Sequence, residues 1–174
     1  IQPYVQNVSI AAINGPQSIV FSGESQAVQA AATLLESQGI KTKKLQVSHA
    51  FHSPLMEPMR ADFEKVAQQI TYFSPQIDII SNVTGELITE EIKSPAYWCR
   101  HVRQTVQFAK SIETLYQQDY RVFVEVGPQP HLLGMARQCL PEEEKCLWLP
   151  SLRSGQADWQ PILHTLSTLY VQGN

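Results

Sequence analysis

The chain has 174 residues, of which 43% are hydrophobic and 17% are charged, and its formal net charge at pH 7 is −3. This length suffices for one or two globular units with a core. The slightly acidic balance and the lack of a basic face argue against nucleic acid as a partner. No apolar run approaches the roughly 20 residues that cross a bilayer, so we expect no membrane segment.

Cysteine usage and the N-terminal sequence indicate the compartment. Cys99, Cys139 and Cys146 are too few and too scattered for a disulfide framework, and none has a zinc-finger spacing to another Cys or His. We expect reduced thiols and a cytoplasmic location. The sequence begins Ile1-Gln2-Pro3-Tyr4, without an initiator methionine or a secretory signal pattern, and we interpret it as part of a longer chain.

The first fifty residues predict the order strand, strand, helix, strand. Val8 to Ile13 and Ser18 to Ser22 have strand patterns, and Asn14-Gly15-Pro16 between them is a strong turn signal, which together indicate a hairpin. Apolar residues at helical spacing predict a helix from Glu24 to Gln38. The alternating run from Ile40 to Val47 predicts a further strand.

Two Ser-Pro pairs predict helix starts in the next segment. Ser53-Pro54 and Ser94-Pro95 each place a serine at the N-cap and a proline at the first helical position. We expect the first of these helices to end before Pro75. A short buried strand from Ile77 to Ile80 and a hairpin turn over 82–87 follow it.

Strands and helices alternate between residues 77 and 137, which argues for an α/β layer. An acidic triplet, Glu142-Glu143-Glu144, predicts a solvated loop. The remaining predicted elements are a helix over 106–118, a strand over 121–126, a helix over 131–138, an extended segment over 147–150 and a last helix over 158–171.

The segment from Val47 to Met56 contains the strongest candidate for chemistry. It places His49 and His52 three residues apart in the loop before a helix N-terminus. Such a histidine can turn one ring nitrogen toward a cleft while a backbone acceptor holds the other, as a general base requires. Two alternatives stay open: exposed loop histidines without a function, and a zinc pair, for which no third ligand is suggested nearby.

Five ordered segments carry a family resemblance. They are Asn14–Gly23; His49-Ala50-Phe51-His52; Tyr97-Trp98 followed by Val106-Gln107-Phe108; Phe123–Pro128; and Leu149–Arg153 with Trp159. In this order and spacing they resemble the malonyl-CoA:acyl carrier protein transacylase family, in the form found as acyltransferase domains of modular polyketide synthases. The similarity extends over nearly the whole chain.

The resemblance implies a fold of the α/β (α+β) class. Residues 1–50 would form part of a ferredoxin-like small subdomain. Residues 51–140 would form the C-terminal part of an α/β-hydrolase-like large subdomain, and residues 141–174 the linker after the acyltransferase domain.

The resemblance also implies a reaction. In the family, a serine in a G-H-S-x-G turn attacks the thioester of an acyl-CoA, a histidine takes its proton, and the acyl group passes to the phosphopantetheine of an acyl carrier protein. His52 matches that histidine. The family holds the imidazole with a backbone carbonyl, which alignment through Tyr97-Trp98 and Val106 assigns to His101 or a neighbour.

Residues beside His52 match positions that vary with the extender unit. The H-A-F-H form, with His49 and Phe51, resembles malonyl-selective domains, in which Phe51 would fill the space of a branching methyl group. A pocket discriminates one methyl group by only about 1–3 kcal/mol. The alternative is that Phe51 is simply part of the core. Asn14 is expected to border the acyl pocket, with turn capping as the alternative.

The sequence departs from the family in three respects: it contains no G-x-S-x-G, it has no match to the malonyl-binding arginine, and it has no match to the oxyanion-hole donors. We therefore expect no turnover from these residues alone, and no bound cofactor or metal. Malonyl-CoA would be the donor and carrier-protein phosphopantetheine the acceptor. Expected partners are the upstream part of the same domain, acyl carrier protein, a ketosynthase domain and acyl-CoA. The alternative function is a non-catalytic scaffold that docks ketosynthase and carrier protein.

Overall fold

The computed structural model describes residues 7–141 and 145–173, so the loop predicted for residues 142–144 lies outside the described residues. These residues divide into two compact units, one ending at Ser111 and one beginning at Ile112. The first contains β1 (Val8–Gly15), β2 (Ser18–Gly23), α1 (Ser25–Ser37), α2 (Glu57–Ala67), β3 (Ile79–Ile80), β4 (Leu87–Ile88) and α3 (Pro95–Arg103). Helix α4 (Phe108–Gln117) includes residues of both, and the second unit adds β5 (Val122–Glu125), α5 (His131–Cys139), β6 (Leu147–Pro150) and α6 (Trp159–Gln172).

The N-terminal hairpin forms as predicted. Strands β1 and β2 pair antiparallel, with Val8 opposite Gly23 and Gly15 opposite Ser18. The other edge of β1 pairs with Val106, whose N–H donates to the Ala11 carbonyl at 2.9 Å and whose carbonyl accepts from Ile13 N at 2.9 Å. The stretch that follows α3 is therefore tied to the hairpin.

The predicted helix over 24–38 is confirmed as α1, but the strand predicted over 40–47 is wrong. Within the part of the chain that the structure describes, no strand pairs with these residues, and Ile40 and Val47 are 51% and 71% exposed. A strand is stabilised by hydrogen bonds to a neighbour. The alternating pattern has no such neighbour here, and the segment stays irregular.

Both Ser-Pro pairs start helices as predicted. Ser53 caps a short 3₁₀ turn (Pro54–Met56) that leads into α2, and its Oγ accepts from Leu55 N at 3.3 Å. Ser94 caps α3 by accepting from Tyr97 N at 3.2 Å. Helix α2 ends well before Pro75, in agreement with the prediction.

The predicted turn over 82–87 connects β3 and β4, which pair antiparallel with Ile79 opposite Ile88. Ser81 and Tyr97 are 1% and 3% exposed, and their hydroxyl oxygens lie 2.9 Å apart. Because a buried hydroxyl needs a hydrogen-bond partner, this contact fixes the turn against α3.

The second unit contains a parallel pair of strands. In β5 and β6, Val122 pairs with Leu147, and the rings of Phe123 and Trp148 stack with centroids 4.6 Å apart. The Glu125 carboxylate accepts from Leu133 N at 2.8 Å, at the start of α5, where a negative charge complements the helix dipole. The strand, the two helices and the extended segment predicted here are confirmed.

The large apolar side chains of the last helix lie mostly outside the core of this unit. On α6, Trp159 and Leu166 are 72% and 56% exposed, whereas Pro161 and Thr165 are buried. Thr165 Oγ1 donates to the Pro150 carbonyl at 2.8 Å, which joins α6 to β6.

The architecture is mixed α/β, as the fold class predicted. The assignment of residues 1–50, 51–140 and 141–174 to the named subdomains and linker stays a prediction. None of the helices described between residues 7 and 173 is long and apolar enough to cross a membrane.

Candidate active site

His52 has an unusual backbone conformation that its contacts maintain. Its φ angle is 62°, in the left-handed region that a residue with a Cβ rarely adopts. Its backbone N–H donates to the Val102 carbonyl at 3.0 Å, and its ring Nδ1 lies 2.7 Å from the Gln104 carbonyl oxygen. Such conformations cost about 1–3 kcal/mol, persist only where the surroundings enforce them, and cluster at active sites.

The contact with Gln104 determines the tautomer of His52. A carbonyl oxygen only accepts hydrogen bonds, so Nδ1 must carry the hydrogen. In the neutral ring Nε2 then has a lone pair and no hydrogen. This is the state that a general base needs before it accepts a proton.

The carbonyl that orients His52 belongs to Gln104 and not to His101, which corrects the assignment made from the sequence. Helix α3 ends at Arg103, and Gln104 is extended with ψ 158°, so its carbonyl points away from the helical hydrogen-bond ladder. His101 lies inside the last helical turn. The signal that could identify Gln104 is the helix end, which the sequence analysis did not locate.

The His101 side chain lies close to His52 even though its carbonyl does not hold the ring. The two ring centroids are 6.3 Å apart, and the rings of Tyr97 and Trp98 lie 6.0 and 5.9 Å from His101. Burial lowers the pKa of His101, and a positive charge on His52 lowers it further. His101 therefore resists protonation beside His52.

The stretch from Gln104 to Gln107, termed the bridging segment, is held by hydrogen bonds to β1 and to the turn between β3 and β4. Thr105 Oγ1 donates to the Ile10 carbonyl at 2.7 Å, and Gln107 N donates to the Asn82 carbonyl at 2.7 Å. Together with the Val106 bridge to β1, these bonds place the Gln104 oxygen against His52. The sequence analysis identified Val106-Gln107-Phe108 as part of a family motif, but it did not predict that this stretch holds the carbonyl that contacts His52.

A cleft of about 890 Å³ opens beside His52. Its walls combine apolar side chains of the hairpin with polar residues near the bridging segment. The residues that line it are Val8, Ser9, Ile10, Phe21, His52, Val83, Arg103, Gln104, Thr105 and Gln107. A cleft that combines apolar walls with convergent polar groups is typical of a substrate site.

The predicted substrate residues lie outside the walls of this cleft. Phe51 is 47% exposed, so it does not belong to the core, and its ring centroid is 6.5 Å from that of His52. His49 is exposed, with its ring 5.9 Å from Phe51 and its Nδ1 2.9 Å from Ser48 Oγ. Asn14 lies in β1 at the turn. The substrate roles of all three stay predictions.

Ser53 holds the turn that follows His52. It is fully buried, its Oγ donates to the Ala50 carbonyl at 2.7 Å, and the same oxygen accepts from Leu55 N. Among residues 7–141 and 145–173, no group of three or more His, Cys, Asp and Glu side chains is placed to hold a metal ion.

Comparison with known proteins assigns the class. The chain belongs to the acyl transferase domain family, whose model it matches over residues 2–173. It is 39% identical over 168 residues to polyketide synthase GfsA of Streptomyces halstedii. That alignment covers 95% of this chain and 2% of the relative, so the chain spans a small part of the protein that it matches.

Solved structures agree with this assignment. The acyltransferase domain from the second module of the salinomycin polyketide synthase matches with a TM-score of 0.92 and 42% identity, over 99% of this chain and 40% of that one. Malonyl CoA-acyl carrier protein transacylase from Clostridium perfringens matches with a TM-score of 0.86 and 25% identity, over 99% and 52% of the two chains. The resemblance to the acyltransferase domain of a modular type I polyketide synthase is confirmed, together with its mixed α/β fold.

Proposed function

We propose that the chain is part of an acyltransferase domain that loads a malonyl unit from malonyl-CoA onto the phosphopantetheine of an acyl carrier protein. His52 is the general base and acid of this proposal. The observation that carries it is the 2.7 Å contact between His52 Nδ1 and the Gln104 carbonyl, which leaves Nε2 without a hydrogen beside the cleft.

The proposed reaction has two transfers. A serine hydroxyl attacks the malonyl thioester while Nε2 of His52 takes its proton. The tetrahedral intermediate then breaks its C–S bond, and His52 returns the proton to the CoA thiolate, which leaves a malonyl-serine ester. In the second transfer the carrier thiol attacks this ester, His52 takes the thiol proton, and the serine oxygen leaves with that proton.

The serine of this mechanism has to come from outside residues 1–174. The sequence has no G-x-S-x-G, and the chain corresponds to 40% of the solved salinomycin acyltransferase chain. The malonyl-binding arginine and the oxyanion-hole donors would come from the same additional part. We therefore propose that residues 1–174 by themselves are inactive, and that the partners are that part, the carrier protein and a ketosynthase domain.

The choice of malonyl rests on Phe51. Phe51 lies outside the walls of the cleft described above, but its half-exposed ring is next to His52, and in the complete pocket it would occupy the space of a methyl branch on the acyl group. A matched relative is a malonyl CoA-acyl carrier protein transacylase, which supports the same donor here. Because one methyl group is worth about 1–3 kcal/mol in such a pocket, the preference should be roughly 10- to 200-fold.

The test is covalent loading of the full-length gene product that contains residues 1–174. It is given equal concentrations of malonyl-CoA and methylmalonyl-CoA, and intact mass spectrometry follows the acyl adduct. We expect a malonyl adduct, formed about 10²- to 10⁴-fold more slowly after His52→Ala, and a shift toward methylmalonyl after Phe51→Ser. No adduct from either donor in a folded protein would contradict the enzyme and support the scaffold alternative.

A further inference from the structure

A second contact joins the two chain segments that meet at His52. Glu57 is the first residue of α2, and Arg103 is the last residue of α3. Arg103 Nε lies 3.2 Å from Glu57 Oε1, and the two side chains are only 31% and 47% exposed. The helix end that precedes the Gln104 carbonyl is therefore linked to the helix start that follows His52.

This contact differs from an ordinary surface ion pair in that one of its atoms, Arg103 Nε, is buried. Arg103 Nε is buried and has no hydrogen-bond partner in the described part of the chain. The Glu57 carboxylate therefore balances the guanidinium charge by electrostatic attraction, without forming a hydrogen bond to Nε. A carboxylate at a helix N-terminus and a guanidinium at a helix C-terminus each complement the helix dipole. The other Glu57 oxygen accepts from Arg60 Nη1 at 3.0 Å.

The pair closes a ring of contacts around the catalytic imidazole. Glu57 lies five positions after His52 in the chain and forms the ion pair with Arg103. The residue after Arg103 is Gln104, whose carbonyl oxygen contacts His52 Nδ1. Because His52 has a left-handed backbone, it depends on outside contacts to stay in place. The ion pair is one of the contacts that can keep the Gln104 carbonyl beside the ring, in addition to the hydrogen bonds of the bridging segment.

We propose that Glu57 and Arg103 form a positioning pair that holds His52 against the Gln104 carbonyl. Neither residue would touch the reacting atoms, and the proposal rests on the proposed function in that His52 is the base. A displacement of about 1 Å at a reacting group costs up to about 100-fold in rate. The pair would therefore act on kcat, with little effect on KM.

The first experiment measures malonyl transfer by the full-length gene product with Glu57→Gln, Arg103→Gln and both together. We expect each single variant to lower kcat about 10- to 100-fold with KM nearly unchanged, and the double variant to be no worse than either single one. Asp62→Asn is the matched control, since it removes a carboxylate of α2 whose ion pair with Lys65 is exposed, and should leave kcat unchanged.

A second readout does not depend on turnover. Nitrogen-15 NMR of the 174-residue chain detects the hydrogen on His52 Nδ1 and its exchange with solvent. We expect Glu57→Gln to speed this exchange at least tenfold, and Asp62→Asn to leave it unchanged. If Glu57→Gln does not fold, Arg103→Lys, which keeps the charge but loses the Nε contact, is measured instead and is expected to show the same change.

The outcomes separate this inference from the proposed function. If His52→Ala abolishes transfer while Glu57→Gln changes neither kcat nor Nδ1 exchange, the positioning pair is wrong and the general base stands. If His52→Ala transfers normally, the proposed function fails. The NMR result alone then decides whether Glu57 and Arg103 hold His52 against the Gln104 carbonyl. A raised KM with unchanged kcat in Arg103→Gln would assign Arg103 to the substrate and overturn the proposal.

Discussion

Two neighbouring segments of the first unit have opposite environments. Residues 40–47 alternate apolar and polar side chains, yet Leu45 and Val47 are 51% and 71% exposed. Residues 50–56 begin after only two intervening residues, and there Ser53 is fully buried while His52 makes two hydrogen bonds to the end of α3 and the residue after it. The first segment has a regular pattern of side chains but pairs with no strand among the residues that the structure describes. The second has an irregular backbone, which is held by hydrogen bonds from His52 to carbonyl groups about fifty residues further along the chain.

The difference shows that long-range hydrogen bonds, more than the local side-chain pattern, determine the backbone of these two segments. An alternation of apolar and polar side chains stabilises a strand only if a neighbouring strand forms hydrogen bonds with its backbone N–H and carbonyl groups. The loop at His52 needs no regular pattern, because its polar groups find fixed partners about fifty residues away. Substitutions in the two segments should therefore have very different effects on stability.

The largest effect is expected at Ser53. In Ser53→Ala the N-cap is lost and the Ala50 carbonyl loses a buried donor, so we expect the free energy of unfolding to fall by about 2–3 kcal/mol. Ser94→Ala is the matched control, because Ser94 caps α3 in the same Ser-Pro context but is only half-buried, and should cost about 1 kcal/mol. Urea unfolding of the 174-residue chain measures both. Equal losses would mean that burial of Ser53 contributes nothing.

A second comparison isolates the backbone conformation of His52. His52→Ala and His52→Gly both remove the imidazole, but only glycine adopts a φ of 62° without a steric penalty. We expect the glycine variant to be more stable by about 1 kcal/mol in the same unfolding experiment. An alanine variant as stable as the glycine variant would show that this turn relaxes, and that the contacts of His52 do not enforce its conformation.

The sequence predicted most elements because their signals are local. The Ser-Pro starts of α2 and α3, the turn after β1 and the strand β5 depend on caps and short patterns, and the structure contains them. His52 was found through a motif. The Gln104 carbonyl was missed because its role depends on where α3 ends and on the bonds of the bridging segment to β1 and Asn82. Those contacts join residues far apart in the chain, which a local pattern does not encode.

A smaller effect should appear with pH at His101. Burial depresses its folded-state pKa below the ordinary value of 6.5, so the unfolded chain binds more protons as the pH falls through that value. Stability contributed by neutral His101 is therefore present above pH 6.5 and is lost below it. Urea unfolding at pH 7.5 and 5.5 should show a smaller loss in His101→Gln than in the unsubstituted chain. The same loss in both would assign the pH dependence to other groups.

The smallest effect is expected in residues 40–47. Val47→Ala removes two methyl groups that are already exposed, so the free energy of unfolding should change by less than about 0.5 kcal/mol. Val8→Ala makes the same chemical change at a position that is 6% exposed in β1, and should cost about 2 kcal/mol. A loss of more than 1 kcal/mol in Val47→Ala would mean that this segment packs as the strand its pattern predicts. The near-neutral result would show that the alternation has no stabilising partner within this chain.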